Sequence, residues 1–422
     1  MSTDGSVHEA APSVDIDGDD YDPFILFDRS MGANNNRDPY PEWAEALETA
    51  PVRKLDSSQI QGAEQMAAMG MEIPEVWEVL SHNAVSQVLR DGKAFSSSGY
   101  AAAMGVVMGP TILVMDEPEH SRYRGLIQMA FSNDALAHWE SDVVRPSIDG
   151  FIDDFESRGS ADLVRELTFV FPVHVIAGML GLPREDLSRF HRWTIALICV
   201  GFDWQLGLAA SARLAEYLTP IIEQRREQPG EDLISLLAQA ELDGNRLDNE
   251  HILGFLRLLL PAGAETTYRS SSNLLFGLMS TDQLGALRDD RSLMAQAMEE
   301  GLRWEPPLTG IGRLCMEDTE VEGIVIPAGA SVAVNLGAAN RDPSRYERPN
   351  EFDIFRQQKQ HMAFAFGPHR CLGMNLARLE TEVLFDRIFS RLPNLRLDPA
   401  AEDVHITGRG FRSPRELPVL FG

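Results

Sequence analysis

The sequence predicts a mostly α-helical protein with a small β part. From Glu117 to about Leu293 almost every segment shows the apolar spacing of helices, interrupted only by Gly/Pro punctuation. Within this region, residues 252–279 are apolar on nearly every face, so we expect a long helix that is buried nearly all round. Beyond Cys315 the apolar period changes to two, which predicts a hairpin around the turn 327–329. Its strands carry Val321, Ile324, Ile326, Val332 and Val334.

Shorter elements are expected on both sides of this region. Residues 76–80 have a β-like composition, and the next residues repeat apolar side chains at helical spacing. Another amphipathic helix is expected after Leu372. The Pro/Gly-rich segment 408–422 is expected to end in strands.

Composition excludes several classes of protein. The chain has 422 residues, with 37 Lys and Arg against 64 Asp and Glu, which gives a formal charge of −27. A field this negative repels phosphate backbones, so we expect no nucleic-acid partner. The three cysteines, Cys199, Cys315 and Cys371, form no disulfide framework and no metal-like spacing, which favours a reducing compartment.

The N-terminal residues and the apolar segments bear on localisation. Residues 1–22 carry seven acids and no Lys or Arg, which predicts a disordered tail and excludes a secretory signal or transit peptide. The most apolar stretches, 169–182 and 252–264, are too short or too interrupted to span a bilayer. We expect a soluble, cytoplasmic monomer without a membrane partner, in which residues 23–422 form a single domain.

The most informative segment is 364–373. Its cysteine, Cys371, stands just before the predicted helix, and the positive end of a helix together with Arg370 favours thiolate over thiol. Two glycines, Gly367 and Gly373, would let backbone N–H groups approach the sulfur.

Two other interpretations of this cysteine remain open from the residues alone, an ordinary buried thiol and a thiol nucleophile assisted by His369. The loop as a whole resembles the haem-binding signature of the cytochrome P450 family, whose fixed positions are all matched by Phe364, Gly367, Cys371 and Gly373. The resemblance implies haem b (iron protoporphyrin IX) as cofactor and Cys371 as the axial ligand of the haem iron. It also implies the cytochrome P450 fold, with the haem between the buried central helix and the cysteine loop.

The buried helix contains an acid next to threonines, which is costly in an apolar surrounding unless the carboxylate is paired. A structural ion pair and a threonine bonded back to the helix would explain it. Pro261 additionally predicts a kink. The run resembles the oxygen-binding motif of the family, which implies that Ala262 and Gly263 contact the cofactor, with Gly263 making room over the iron. It also implies that Glu265 and Thr266 relay protons to bound dioxygen.

Glu300 and Arg303 lie three residues apart on a predicted helix, where most such pairs are ordinary surface bridges. Their position resembles the structural Glu-x-x-Arg of the family. The family adds a third partner, often an arginine, from a Pro-rich stretch that corresponds to 346–353. Glu351 occupies the usual arginine position there, and Arg348 is the alternative.

His120 and Arg124 lie four residues apart, so two basic groups share one helix face. A solvated basic face is the plain interpretation. By resemblance they bind the haem propionates, and Arg313 and His369 complete the set. Arginine suits this role because its planar fork binds both oxygens of a carboxylate.

The resemblance implies a monooxygenase that inserts one oxygen atom of O2 into a C–H bond of a hydrophobic substrate of the terpenoid, fatty acid or steroid class. Electrons are expected from a separate ferredoxin with a flavin-dependent ferredoxin reductase, because the sequence shows no iron–sulfur motif. Arg122 and Arg370 are expected on the docking side. Candidate pocket residues, each equally explained as plain core, are Tyr100, Met104, Met108, Leu258, Leu259, Leu308, Ile311 and Phe411.

Two rival functions remain. One is a peroxide-driven peroxygenase, against which the pair Glu265 and Thr266 argues. The other is a non-catalytic haem sensor or carrier, against which the lack of a second domain argues.

Overall fold

A computed structural model of the protein describes residues 37–60, 73–201 and 203–422, together with 16–18, 22, 25 and 27. The predicted tail, 1–22, lies almost wholly outside the described residues. The helices, in chain order, are α1 (Tyr40–Thr49), α2 (His82–Arg90), α3 (Val106–Met108), α4 (Glu119–Gln128), α5 (Asn133–Trp139), α6 (Arg145–Phe155), α7 (Phe171–Met179), α8 (Leu187–Ile198), α9 (Trp204–Glu227), α10 (Leu233–Gln239), α11 (Asn249–Ser280), α12 (Leu284–Asp289), α13 (Met294–Trp304), α14 (Leu336–Ala339) and α15 (Met374–Arg391).

The strands are short, and all but three of those described lie before residue 97 or after residue 309. They are β1 (Val52–Lys54), β2 (Val76–Val79), β3 (Phe95–Ser96), β4 (Ser160–Asp162), β5 (Glu241–Leu242), β6 (Asn245–Arg246), β7 (Gly310–Cys315), β8 (Thr319–Val321), β9 (Ile324–Ile326), β10 (Ser331–Asn335), β11 (Arg396–Leu397), β12 (Ile406–Thr407), β13 (Ser413–Pro414) and β14 (Pro418–Leu420). The mostly helical fold with a small β part is therefore confirmed.

Helix α11 is the centre of the fold. Asp248 caps its first turn by accepting a hydrogen bond from the backbone N–H of His251 at 2.9 Å. The helix then runs unbroken for 32 residues through Pro261 and packs against α7, α8, α9, α13 and α15. The prediction of a helix buried nearly all round is confirmed, with one exception. A stripe at helical spacing stays partly open, and it consists of Leu259, Ala262, Gly263 and Thr266.

The main sheet has five strands in the order β1-β2-β10-β7-β3. Strands β10 and β2 pair in parallel, and the other neighbours pair antiparallel. The predicted hairpin is wrong in its pairing. Strand β9 pairs with β8 across the turn Glu322-Gly323, whereas β10 leaves the turn 327–329 to pair with β7. The alternating pattern located these strands, but the choice of partner depends on the rest of the sheet.

The remaining strands confirm the prediction for the C-terminal segment. Strand β14 joins β11 and β4 in a three-stranded sheet, and β13 pairs with β12. Among the described residues, no helix has the length and apolar character needed to cross a membrane.

Candidate active site

The cysteine loop closes on itself just before α15. The backbone N–H of Cys371 donates to the carbonyl oxygen of Phe364 at 2.9 Å, and that of Arg370 donates to the carbonyl of Gly367 at 3.1 Å. Helix α15 begins at Met374, three residues after the cysteine, as predicted. Cys371 is accessible, whereas the other two cysteines of the chain are buried. This placement makes Cys371 the cysteine available to a ligand.

The thiol of Cys371 lies in a recess rather than on the outer surface. Burial raises its pKa above the usual range, although the Gly373 N–H, which bonds to the sulfur, and three arginines, Arg124, Arg378 and Arg370, lower it. The positive charge of Arg370 favours the thiolate, as predicted, but desolvation is the larger effect and the net shift of the pKa is upwards. A thiol that coordinates a metal ion is deprotonated by the metal itself.

The two glycines of the loop have different roles. Gly373 reaches the sulfur with its N–H, as predicted, and an added Cβ there would meet no protein atom within 4 Å. Gly367 has φ +73°, and an added Cβ would overlap the carbonyl oxygen of Leu89 at the end of α2. Its role is to allow this close contact between loop and helix, not to expose the sulfur.

A cluster of basic side chains lies beside the loop. The rings of His120 and His369 are 3.9 Å apart between centroids. Arg313 is buried, and Arg124 donates to the carbonyl oxygen of Arg370 at 2.6 Å. Burial, together with His120 and Arg313, lowers the pKa of His369 to about 3.

The two arginines of the cluster bond to backbone carbonyl oxygens, Arg124 to that of Arg370 and Arg313 to that of Gly312, and Glu117 Oε1 lies 3.0 Å from His120 Nδ1. Asp116 is the acid that acts on both Arg313 and His369, and it already accepts hydrogen bonds from the hydroxyl of Ser96 and from the backbone N–H of Ser97 at 2.9 Å. His120 is buried, and its Nε2 has no hydrogen-bond partner. A buried ring nitrogen without a partner, beside the buried Arg313 and the half-buried Arg124, fits a ligand that carries carboxylates, as the haem propionates do.

Tyr100 lies at this cluster. The backbone N–H of Gly312 in β7 donates to its hydroxyl at 2.6 Å, and the Tyr100 group acts electrostatically on Arg313. Its hydroxyl therefore fixes the loop 98–105 on the sheet, and the residue belongs to the basic cluster more than to an apolar wall.

The acid of the central helix is paired. Glu265 is buried, and its Oε2 accepts a hydrogen bond from Arg269 Nε at 3.2 Å, one turn along α11. Arg269 Nη1 also donates to Ser413 Oγ at 2.9 Å. Thr266 donates from its hydroxyl to the carbonyl oxygen of Ala262 at 2.8 Å. Both plain explanations of the motif, the ion pair and the back-bonded threonine, are thus present, and the proton relay stays a prediction.

The small residues of the motif divide between two faces. Ala262 is exposed although the helix around it is buried, so it faces an opening. An added Cβ on Gly263 would lie 2.7 Å from Ile176 Cδ1 in α7. Gly263 therefore allows α11 to pack closely on α7, and its role in making room over the iron stays a prediction.

A second buried carboxylate connects α11 to α15. The hydroxyl of Thr267 bonds to Glu380, and burial raises the pKa of this carboxyl to about 8. The Oε1 atom of Glu380 has no partner.

The predicted pair Glu300 and Arg303 is present and buried. Arg303 donates to both carboxylate oxygens of Glu300, at 2.7 and 2.8 Å. The third partner is Arg356, whose Nε donates to Glu300 Oε1 at 3.1 Å. Neither Glu351 nor Arg348 takes that place, because these two side chains pair with each other at the surface. Arg356 lies three residues beyond the stretch 346–353 in which the sequence analysis placed the third partner.

The sequence analysis missed an adjacent cluster around Glu299. Its carboxylate accepts hydrogen bonds from Arg378 in α15 at 2.7 and 3.1 Å and lies 3.1 Å from His361 Nε2. These two partners hold its pKa down at about 2, against the effect of burial. Because Arg378 also lies 4.7 Å from the ring of Phe364, the cluster fixes the cysteine loop on α13.

Most of the predicted pocket residues are half-buried, as wall residues would be. Leu308 and Phe411 are brought together by an isolated β-bridge. Met108 is the exception, because α3 packs against α11 and α9 and leaves its side chain 1 % exposed. It is core, and its prediction as a wall residue is wrong. The half-buried residues are Met104, Leu258, Leu259, Leu308, Ile311 and Phe411.

The two arginines that were predicted on a docking side differ. Arg122 forms an ion pair with Asp243, so its charge is offset. Arg370 is exposed.

Comparison with known proteins agrees with this geometry. The sequence model described as Cytochrome P450 matches residues 71–406. The chain is 38 % identical to "Cytochrome P450 107B1" of Saccharopolyspora erythraea over 325 residues, 75 % of this chain and 78 % of that protein. It is 34 % identical to "Cytochrome P450 monooxygenase PikC" of Streptomyces venezuelae over 412 residues, 94 % of each chain. The crystal structure of CYP109E1 from Bacillus megaterium in complex with testosterone superimposes with a TM-score of 0.80 at 32 % identity, covering 91 % of this chain and 99 % of that one. The accessible cysteine, the basic cluster and these similarities lead to one conclusion: the chain belongs to the cytochrome P450 family of haem-dependent monooxygenases.

Proposed function

We propose that the protein hydroxylates a hydrophobic small molecule of the terpenoid, fatty acid or steroid class, in the cytoplasm, as a monomer with 23–422 as its catalytic domain. When bound, haem b supplies the activation of O2 by which one oxygen atom is inserted into a C–H bond. The observation that carries the proposal is the accessible Cys371 beside a basic cluster with an unpaired, buried His120 Nε2.

Cys371 is proposed as the iron ligand. Of the two alternatives left open by the sequence, the buried thiol is inconsistent with its accessibility. The nucleophile assisted by His369 is disfavoured because that ring packs on His120, with its pKa lowered to about 3. The loop residues Phe364, Gly367 and Gly373 hold the cysteine in place.

The propionates are proposed to bind the basic cluster. The two carboxylates would neutralise the charges of Arg124 and Arg313, and His120 and His369 would contact them, which offsets the cost of burying the guanidinium groups. Ala262, exposed on α11, is proposed to lie against the cofactor.

Proton delivery is proposed to start from Glu265 and Thr266. The Thr266 hydroxyl lies on the partly open stripe of α11 and can exchange its bond to the Ala262 carbonyl for one to a ligand. Glu265 is held by Arg269 and must leave this ion pair to pass a proton towards Thr266. The ion pair holds the carboxylate away from the opening in the resting enzyme, which restricts the access of water and protons to the site.

Electrons are proposed to come from a ferredoxin and its flavin-dependent reductase. Because Arg122 is already paired, Arg370 is the docking cation that we expect to matter more. Reversing its charge in Arg370→Glu should lower the rate of electron transfer at low salt, whereas Arg122→Glu should have the smaller effect. Equal rates for wild type and Arg370→Glu would contradict this docking side.

The first test is the difference spectrum of the dithionite-reduced, CO-bound protein. We expect a strongly red-shifted Soret band in the wild type that is lost in Cys371→Ala and retained in the matched controls Cys199→Ala and Cys315→Ala. A histidine-like band in the wild type would reject the assignment.

The second test addresses the proton relay. Thr266→Val and Glu265→Gln should consume reductant while forming less product per O2, since general acid catalysis typically contributes about 10²–10⁴-fold. Thr266→Ser keeps the hydroxyl and should restore coupling. Full coupling in Thr266→Val would assign the hydroxyl a purely structural role.

A further inference from the structure

Arg257 is a half-buried cation in the central helix without a described carboxylate partner. Its Nη2 donates to the backbone carbonyl of Ser211 in α9 at 2.7 Å, and its Nε is buried without a hydrogen-bond partner. Desolvation lowers its pKa, and no charged group among the described residues is found to compensate for the burial. Arginine stays protonated under such conditions.

The guanidinium lies where three parts of the fold meet. Ser211 Oγ in turn donates to the carbonyl oxygen of Val107 in α3 at 2.5 Å. An added Cβ on Gly109, just after α3, would lie 4.0 Å from Arg257 Nη1. Arg257 therefore stands at the junction of α9, α11 and the segment that follows α3.

The same stretch of α11 leads to the proposed active site. Leu258 and Leu259, which follow Arg257, are both half-buried, and Ala262 is exposed. Ala262 lies five positions after Arg257, which is about 7.5 Å along the helix axis and about 140° around it, with Leu258 on the face between them. A ligand bound to the guanidinium could thus extend along apolar side chains to the opening at Ala262.

A half-buried charge without a carboxylate partner among the described residues is costly, and the helix does not need one here. Neighbouring positions on α11 are leucines, so an apolar residue would be compatible with this part of the helix. The cost is offset when an anion joins the cation, and the planar fork of arginine binds both oxygens of a carboxylate.

We propose that Arg257 binds the carboxylate of an amphipathic organic acid, with the apolar part of the acid lying along Leu258 and Leu259 towards Ala262. This inference rests on the proposed function and narrows its substrate to acids with an extended apolar part, among them fatty acids.

The test measures binding to the haem-loaded enzyme, by calorimetry and by the spin-state change. The probes are matched pairs of linear acids and alcohols, from octanoic acid and 1-octanol to hexadecanoic acid and 1-hexadecanol. The variants are Arg257→Gln and Arg257→Lys. The control is Arg213→Gln, which removes a cation from α9 that is exposed and already paired with Glu216 and Asp17.

We expect the wild type to bind at least one acid about 10- to 100-fold more tightly than its alcohol, the range typical of a hydrogen bond to a charged group. Arg257→Gln should abolish this preference and leave alcohol binding unchanged within about twofold. Arg257→Lys should keep part of it, and Arg213→Gln all of it.

Two results would overturn the inference. One is the absence of an acid preference at every chain length in the wild type. The other is an equal loss of acid and alcohol binding in Arg257→Gln, which would show that Arg257 only connects α9 to α11 and does not bind the carboxylate. Failure of the proposed function can be distinguished from both results, because the wild type would then lack the thiolate band in the CO difference spectrum.

Discussion

The close contact between Gly367 and α2 can be tested by adding a single methyl group. In Gly367→Ala, the alanine must adopt φ +73°, a left-handed conformation that costs about 1–2 kcal/mol. Its Cβ would also overlap the Leu89 carbonyl oxygen and lie 2.9 Å from the carbonyl carbon, so the loop or the end of α2 must move. Such overpacking costs about 1–3 kcal/mol more, for a total of about 2–5 kcal/mol.

The matched control is Gly329→Ala. Gly329 has φ +83°, but an added Cβ would meet no atom within 4 Å, so only the conformational cost of about 1–2 kcal/mol applies. Urea unfolding of the haem-loaded enzyme, followed by tryptophan fluorescence and by the thiolate band, measures the difference. We expect Gly367→Ala to unfold at lower urea and to lose the thiolate band before the fluorescence changes, because the displaced loop carries Cys371. Equal losses in the two variants would refute the role assigned to the Leu89 contact.

Two further predictions follow from the polar clusters. Arg356→Leu should destabilise the protein by about 1.5–3 kcal/mol in urea unfolding, because it removes a buried hydrogen bond to the Glu300 carboxylate, which Arg303 still holds. Arg348→Leu at the surface should cost less than about 1 kcal/mol, and equal losses would contradict Arg356 as the third partner. Burial lowers the pKa of both His174 and His191 from 6.5 to about 4. As the pH drops, these imidazoles are protonated in the unfolded chain before they are protonated in the folded protein. The free energy of unfolding should therefore fall between about pH 6.5 and about pH 4. In His191→Gln this dependence should be weaker, and an unchanged slope of unfolding free energy against pH would contradict the assignment.

Contiguous motifs and periodic patterns were readable from the sequence. The cysteine loop occupies ten consecutive residues, so its spacing alone predicted the start of α15 and the position of Cys371. The helix α11 was equally clear, because apolar residues on all faces require burial on all faces. Both features are set by residues close together along the chain, so they can be recognised from the sequence without the fold.

Where a strand or side chain had two possible partners, only the tertiary structure decided between them. Strand β10 was found, but pairs with β7 rather than with β9. Glu265 was found, but whether it faces the opening or Arg269 depends on the rotation of its side chain and on Ser413, 148 residues away from it. Arg356 was missed for the same reason, since several arginines of one loop compete for Glu300 and only the fold of that loop selects one.

The sequence by itself therefore determined the family resemblance, most of the helices and strands, and the residues that we propose for the chemistry. The tertiary structure decided which electrostatic effect on these residues is the larger and which side chains have room to pack. Burial outweighs the arginines around Cys371, and Gly263 and Gly367 serve packing contacts with Ile176 and Leu89. The physical reason is that desolvation and close packing depend on atoms that are distant in sequence and meet only in the folded protein.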